Sequence, residues 1–331
     1  MLIIFLVIAL LALSYVLSRA TDFLVSGLTQ LSDGTNFEAS GLTTLFVALA
    51  TSLPELFIGI ASALEGNQSL SLGVAMGSNI ANVSLVIGGA ALVSGSVKAT
   101  GFILRKDLVY TFLISCLPLL LLMDGVLSRI DGVVLLAVYL LFNISILTGS
   151  GRKQLEEVER EYYDKKGLRH RVLNFLGRKD TEQGLGKMVV GSILLVVCAD
   201  LIVRLSGYIA TVVNIPVLLV GLFLVSVGAT LPELAFEIKT VKNKEYLLTF
   251  GNLIGSVVVN SSLILGAVSI LSPIVVLKSA MQSYFISVIA FLVLFTLFWL
   301  MSYSKKRLDR WEGVVLLVVY FGFIGLQMWV S

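Results

Sequence analysis

The chain has 331 residues, of which 57% are hydrophobic and only 14% are charged, about half the charged fraction of a typical soluble domain. A net charge of +3 is too small to indicate a polyanionic partner, so a nucleic-acid binder is excluded together with a soluble globular enzyme and a disordered protein. Cys116 and Cys198 lie in apolar runs and offer no disulfide framework, and His170 cannot build a zinc site alone. The composition leaves a polytopic membrane protein.

Apolar runs of the length that a membrane span needs, about 20 residues, occur ten times along the chain. The predicted spans are 1–30, 41–64, 70–93, 107–124, 131–149, 187–207, 214–238, 247–271, 280–302 and 311–330. A signal peptide is the alternative for residues 1–17, but they lack a basic start and the apolar pattern continues beyond them. The sequence therefore predicts an all-α membrane protein with ten transmembrane helices.

A hydrophilic segment, residues 150–186, separates the fifth span from the sixth. We interpret it as a solvated cytoplasmic loop with some helix, and a regulatory arm lying on anionic lipid is the alternative. The loops that follow spans three, seven and nine are also basic, and a ten-span chain places all four segments on one side. The positive-inside rule identifies that side as the cytoplasm, which predicts two extracellular termini and a location in the plasma membrane.

The sequence repeats itself at a spacing of 178 residues. ATSLPEL from Ala50 matches GATLPEL from Gly228, and GSNIANVSLVIG from Gly77 matches GSVVVNSSLILG from Gly255. Beyond these, GVVLLAVY at 132–139 matches GVVLLVVY at 313–320, where the spacing has grown by three residues. The pattern predicts a first repeat at 1–149 and a second at 187–331.

Each predicted repeat holds five spans, and because five is odd the second copy enters the membrane from the opposite side. Inverted repeats of this kind are typical of secondary transporters, which bind their substrate near the membrane midplane between the two copies. Such a pair can rock between two nearly mirror-image states, as alternating access requires.

Two glutamates, Glu55 and Glu233, occupy equivalent positions deep in the two repeats, where acidic groups are costly and usually functional. Each follows a proline, Pro54 or Pro232, which removes one backbone hydrogen bond and frees a carbonyl one turn earlier. Freed carbonyls in lipid need partners, and a bound cation is one. A structural pair of buried, protonated carboxyls is the alternative, which the repeat symmetry and the prolines disfavour.

Hard oxygen ligands accompany both glutamates. They are the hydroxyls of Thr51, Ser52, Ser78, Thr230 and Ser256 and the amide oxygens of Asn82 and Asn260. Two carboxylates with neutral oxygens suit Ca²⁺, which takes about six to eight oxygen ligands, and there is no thiolate or imidazole cluster for a softer metal. For each hydroxyl taken alone, helix packing is the alternative role.

Three further acids, Asp22, Asp200 and Glu237, are not predicted to be central ligands. Asp22 and Asp200 each have an arginine at helical spacing, which predicts a local ion pair. Glu237 lies one turn beyond Glu233 and is expected to face the cytoplasmic mouth near Lys239, with a secondary cation site as the alternative.

These motifs resemble the sodium/calcium exchanger family of cation antiporters, whose two alpha-repeats carry a GTSLPE-like motif followed by a GSN-type motif. Here the motifs read ATSLPE at 50–55 and GSNIAN at 77–82, then GATLPE at 228–233 and GSVVVN at 255–260. The resemblance covers essentially the whole chain. The GNxxE-type motif of the proton/calcium branch is absent, which favours sodium coupling.

The resemblance implies a site at the centre of the molecule. Glu55 and Glu233 would be the central Ca²⁺ ligands, completed by the carbonyls of Thr51 and Ala229. The residues that would match the two sodium sites are Ala48, Ser52 and Ser78 for one and Ser226, Thr230 and Ser256 for the other, with Asn82 and Asn260 flanking the centre. The departures from the family pattern lie in the second copy, at Ser226, Ala229, Val257 and Asn260, and an amide at Asn260 disfavours potassium cotransport.

The sequence thus predicts a secondary antiporter that exchanges Na⁺ for Ca²⁺ by alternating access, is not an enzyme and needs no cofactor. The resemblance implies three Na⁺ for each Ca²⁺, so that exchange would be electrogenic. A proton/calcium exchanger that uses the same glutamates is the nearest alternative, and a cation channel is a further one.

Overall fold

A computed structural model of the chain describes residues 2–32, 48–99, 108–148 and 181–330. The helices within these ranges are α1 (Leu2–Ser32), α2 (Leu53–Leu64), α3 (Gln68–Ser94), α4 (Leu108–Leu121), α5 (Arg129–Thr148), α6 (Thr181–Val213), α7 (Val217–Lys242), α8 (246–271), α9 (Lys278–Lys305) and α10 (Arg310–Val330). Residues 48–51 form a further helical turn, which a bend at Ser52 separates from α2.

The helices lie where the apolar runs predict spans. Among the described residues, seven are long and apolar enough to cross a membrane, and Leu53–Leu64 and Leu108–Asp124 are shorter apolar helices. The sixth helix begins at Thr181, inside the segment that the sequence assigns to a loop, and it packs against α1. The rest of that loop, and residues 41–47 of the predicted second span, lie outside the described residues.

Two features of the backbone are absent from the sequence prediction. Wide π-helical segments interrupt α3 at Asn82–Val86, α7 at Val220–Val225 and α8 at Val259–Ile264. The segments in α3 and α8 lie at equivalent places in the two repeats and begin within a residue of Asn82 and Asn260. Such bulges often occur at functional sites, because they turn side chains out of the regular helical register.

Four short strands also form, in two antiparallel pairs. β1 (Ser96–Lys98) pairs with β4 (Arg307–Asp309), and β2 (Val126–Leu127) pairs with β3 (Ile274–Val275). Glycines with positive φ precede two of them, Gly95 at +91° after α3 and Gly125 at +88° before β2. Each pair joins a turn of the first half of the chain to a turn of the second half.

The motif-bearing helices form the centre of the molecule. Almost every residue of α3 and most of α8 is buried, and neither helix carries a charged side chain. The outer helices α1, α6 and α10 instead expose large apolar side chains, among them Phe5, Ile193 and Phe321. Because a soluble protein rarely exposes so continuous an apolar surface, this exterior fits a lipid environment.

Helices from the two halves approach one another at pairs of glycines. A Cβ on Gly88 would lie 2.9 Å from the carbonyl oxygen of Gly313, and one on Gly313 would lie 2.6 Å from that of Gly88. Gly132 and Gly266 face each other in the same way, at 2.8 and 3.0 Å. We call these two pairs the reciprocal glycine contacts; small residues allow such close backbone packing in membranes.

Candidate cation-binding site

The two predicted glutamates lie in the buried centre. Glu55 is 1% exposed and stands in the first turn of α2, which begins where the chain bends at Ser52. Glu233 is 3% exposed and lies within α7. The two carboxylates interact electrostatically, so the fold brings together acids that are far apart in the sequence.

Each glutamate receives a hydrogen bond from the serine of its own repeat. Ser78 Oγ donates to Glu55 Oε1 at 3.3 Å, and Ser256 Oγ donates to Glu233 Oε1 at 3.2 Å. The two bonds join residues at the same sequence separation and differ by 0.1 Å in length. Equivalent carboxylates therefore sit in equivalent hydrogen-bonding geometry.

The remaining oxygens of both acids have no protein partner among the described residues. Glu55 Oε2 and Glu233 Oε2 are buried without a hydrogen bond, as are Ser52 Oγ and Asn260 Oδ1. Buried polar atoms are nearly always partnered, so these four unpartnered oxygens require an explanation. A hard cation bound between them is the kind of partner that supplies it.

The prolines act differently in the two copies. Pro54 lies in the first turn of α2, directly after the bend at Ser52, whereas Pro232 lies inside the continuous helix of α7. The helix is thus interrupted beside the proline only in the first copy. A proline ring has no N–H in either place, so the carbonyls of Ala50 and Gly228 still lose their helical donors.

The other sequence-predicted residues are also close to this centre or buried beside it. Ala48, Ser52, Ser78, Asn82, Ser226, Ala229, Thr230, Ser256 and Asn260 are all at most 3% exposed, and Thr51 is half-buried. Ser226 Oγ donates to Leu222 O at 2.5 Å and Thr230 Oγ1 to Val227 O at 3.3 Å, so both hydroxyls bond back to their own helix. Their oxygens keep lone pairs for a further partner.

A residue that sequence reasoning missed orients Asn260. Asn260 Nδ2 donates to Asn79 Oδ1 at 3.1 Å, and Asn79 Nδ2 donates to Ser261 Oγ at 2.7 Å. The amide nitrogen of Asn260 is thereby held away, which leaves its buried Oδ1 unpartnered. Asn79 belongs to the GSNIAN motif, and its counterpart in the second copy is Val257, so the motif comparison itself carried the signal.

The expectation for Glu237 is wrong. Its side chain is fully buried instead of facing a mouth, and it accepts from Asn252 Nδ2 at 2.9 Å and Thr240 Oγ1 at 3.3 Å. Because it follows Glu233 by one helical turn, it lies on the same buried face of α7. Asn252 Oδ1 in turn accepts from Thr51 Oγ1 at 2.9 Å, which connects Glu237 to the predicted site.

The ion pairs predicted for the two aspartates are confirmed. Arg19 lies 3.2 Å from Asp22, and Arg204 lies 2.9 Å from Asp200 and 2.7 Å from Glu65. All four of the arginine and aspartate side chains are substantially exposed, between 38% and 61%. These acids are therefore remote from the central carboxylates.

Both halves of the chain match a known protein family. A sequence profile described as "Sodium/calcium exchanger protein" matches residues 4–148 and again residues 184–329. The two matched ranges contain every residue of the site above.

Individual relatives match along nearly their whole length. The protein CaxA of Alkalimonas amylolytica is 28% identical over 92% of this chain and 92% of its own. The sodium/calcium exchanger MaX1 of Methanosarcina acetivorans is 25% identical over 93% and 94%. The fold matches a solved structure of the sodium-calcium exchanger NCX_Mj soaked with Na⁺ and Sr²⁺, with a TM-score of 0.61, 22% identity and coverage of 97% and 98%.

Proposed function

The chain belongs to the sodium/calcium exchanger protein family, and we propose that this multi-pass membrane antiporter exchanges Na⁺ for Ca²⁺ by alternating access. One observation carries the proposal. Two buried glutamates, Glu55 and Glu233, have matching serine donors, and within the described part of the chain each keeps one carboxylate oxygen without a protein partner. A pair of acids arranged in this way suits a divalent cation that must bind and leave again.

In this proposal one Ca²⁺ neutralises both carboxylates. Glu55 and Glu233 are its ligands, with the carbonyls of Thr51 and Ala229 and with Asn82 and Asn260 beside it. Sodium ions neutralise the same charges by using additional oxygens, from Ala48, Ser52 and Ser78 on one side and Ser226, Thr230 and Ser256 on the other. The two cations therefore compete for one centre, and exchange follows because an empty pair of buried carboxylates is costly.

The architecture that we propose is an inverted pair of five-helix repeats, residues 1–149 and 187–331, with 150–186 as a cytoplasmic connection. The strand pairs support it, because paired turns must lie on the same side of the membrane. Ten spans place the turns of β1 and β4 on one side and those of β2 and β3 on the other. With the basic loops in the cytoplasm, both termini are extracellular and the protein lies in the plasma membrane.

The exchange of three Na⁺ for one Ca²⁺ would move one net charge in each cycle. The membrane potential then contributes about 2.3 kcal/mol for each charge per 100 mV. When three Na⁺ leave a vesicle and one Ca²⁺ enters, one net positive charge leaves, so a potential that is positive inside would accelerate Ca²⁺ entry and a negative one would slow it.

The test is ⁴⁵Ca²⁺ uptake into proteoliposomes loaded with Na⁺, at equal pH on both sides. We expect uptake that requires the sodium gradient and responds to a potassium diffusion potential set with valinomycin. Uptake that follows a pH gradient and ignores sodium would assign the protein to proton/calcium exchange instead. Downhill Ca²⁺ flux without any counter-ion would indicate a channel.

The variant Glu55→Gln should lose exchange almost entirely, because one carboxylate cannot balance a divalent charge. Glu65→Gln is the matched control, since Glu65 lies at the opposite end of α2 and pairs with the exposed Arg204. A Glu55→Gln protein that kept full sodium-driven uptake would refute the proposed site.

A further inference from the structure

Glu237 is a third buried carboxyl that the proposed exchange does not use. It is 0% exposed, and its counterpart in the first repeat is Gly59, so it has no symmetric role in the two-glutamate centre. Among the described residues, its hydrogen-bond partners are the neutral side chains of Asn252, Thr240 and Thr249.

The charged groups around Glu237 do not compensate it. On its own helix, Glu233 is the acid that interacts with it, and Lys239 and Lys242 are exposed at the surface. The helices α3 and α8, which pack against α7, contain no charged residue, and the charged side chains of α1 are the exposed pair Arg19 and Asp22. On α2 the acid is Glu55, while Glu65 directly follows that helix and binds Arg204, and Glu245 directly precedes α8.

Polar groups lead from Glu237 in two directions. Towards the exposed α7–α8 turn, Thr240 Oγ1 is 2.8 Å from Thr249 Oγ1, which donates to Glu245 O at 3.4 Å. Towards the centre, Asn252 bonds to Thr51, and Thr51 Oγ1 lies 3.3 Å from Ser256 Oγ, the donor to Glu233. Hydroxyl groups both donate and accept hydrogen bonds, so this series of hydrogen bonds can reverse direction without leaving any of its groups unpartnered.

We propose that Glu237 is a proton-binding site of the exchanger, loaded from the α7–α8 turn through Thr249 and Thr240 and linked to the transport site through Asn252 and Thr51. An ionised carboxylate that is buried without a counter-ion is costly, and uptake of one proton from the aqueous phase onto a Glu237 oxygen removes that cost. The proposal rests on the proposed exchange, to which it adds regulation by protons.

The linkage has two parts. A negative charge on Glu237 acts directly on Glu233, so ionisation of Glu237 strengthens cation binding at the centre and protonation weakens it. A protonated Glu237 also becomes a donor, to which the Asn252 amide can turn its oxygen; its nitrogen then faces Thr51. Thr51 consequently donates towards Ser256 or the carbonyl of Ala48 instead of towards Asn252.

The first experiment asks whether Glu237 takes up a proton, and it needs no transport. Infrared difference spectra of the purified full-length protein between acidic and alkaline buffer should contain a protonated-carboxyl band. We expect the band to disappear in Glu237→Gln and to persist in Glu245→Gln, whose side chain is not part of the chain of hydrogen bonds. Identical spectra for wild type and Glu237→Gln would overturn the proposal.

The second experiment measures the coupling. In sodium-loaded proteoliposomes, the Ca²⁺ concentration for half-maximal uptake should fall as the pH at the α7–α8 turn rises, by up to about tenfold per pH unit for each linked proton. Glu237→Gln should lower that slope by one proton and leave exchange active. A wild-type slope in an active Glu237→Gln protein would overturn the coupling.

If Glu237→Gln does not fold, Asn252→Val separates the two steps, because it keeps the carboxyl and removes its link to Thr51. The infrared band should then remain while the pH dependence of uptake decreases, and an unchanged pH dependence would overturn the proposed route. Absence of any sodium-driven uptake in wild type would refute the proposed function alone and leave the infrared result to decide on Glu237.

Discussion

A methyl group at Gly77 should push α3 away from α7, the helix that carries Ser226 and Thr230 of one proposed sodium site. A Cβ at this position would lie 2.3 Å from the carbonyl oxygen of Leu222 and 2.5 Å from Ser226 Oγ. Ordinary contact begins near 3.4 Å, so α3 and α7 must separate by about 1 Å, because backbone atoms cannot rotate away. Overpacking of this kind costs about 1–3 kcal/mol.

The functional effect of Gly77→Ala should be larger than the effect on stability. Ser226 would move with its helix, and a misplacement of about 1 Å at a binding site can cost roughly 100-fold. We therefore expect the Na⁺ concentration that drives half-maximal ⁴⁵Ca²⁺ uptake to rise at least about tenfold, with an unfolding temperature several degrees lower in detergent.

The repeat supplies a second version of the experiment. A Cβ on Gly255 would lie 2.2 Å from Ala48 Cβ, and Ala48 is the counterpart of Ser226, so Gly255→Ala should impair the other sodium site similarly. Gly322→Ala is the matched control, because nothing lies within 4 Å of its Cβ and alanine favours helix. Wild-type sodium dependence in both Gly77→Ala and Gly255→Ala would refute the packing argument.

Two further substitutions test parts of the site separately. Asn79→Val should leave the nitrogen of Asn260 and the hydroxyl of Ser261 without their partner, which costs about 1–3 kcal/mol of free energy. The Ca²⁺ concentration for half-maximal uptake should rise about tenfold, and an unchanged value would show that Asn260 needs no orientation. Arg204→Ala removes exposed ion pairs to Asp200 and Glu65 and should leave uptake within about twofold of wild type, whereas a large loss would place this arginine in the transport path.

The central acids could be predicted because charge is so scarce in the chain. In a sequence with 14% charged residues, a glutamate repeated within a matching motif stands out, and its burial follows from the apolar runs around it. The helices could be predicted for the same reason, since span length depends on hydrophobicity alone. Their ends were less predictable, as the early start of α6 at Thr181 illustrates.

Features that depend on contacts between the repeats could not be predicted. The bond from Thr51 to Asn252 joins residues 201 positions apart, and neither residue has a polar counterpart in the other copy, where Ala229 and Val74 stand. Motif symmetry therefore gave no signal for it. The prediction that Glu237 faces the cytoplasmic mouth is wrong because helical spacing indicates the face of the helix on which a residue lies. It does not indicate whether neighbouring helices bury that face.

The reciprocal glycine contacts have a consequence for the ancestry of the chain. Gly266 is the duplicate of Gly88, and Gly313 is the duplicate of Gly132. The contact between Gly88 and Gly313 is therefore repeated by the contact between Gly266 and Gly132, which is the geometry of an isologous dimer interface. A single half that inserted in both orientations would form these contacts with its own copy. With the inverted architecture proposed above, the present chain would correspond to such a dual-topology homodimer after gene fusion, and its halves, expressed as two separate polypeptides, should reassemble in the membrane.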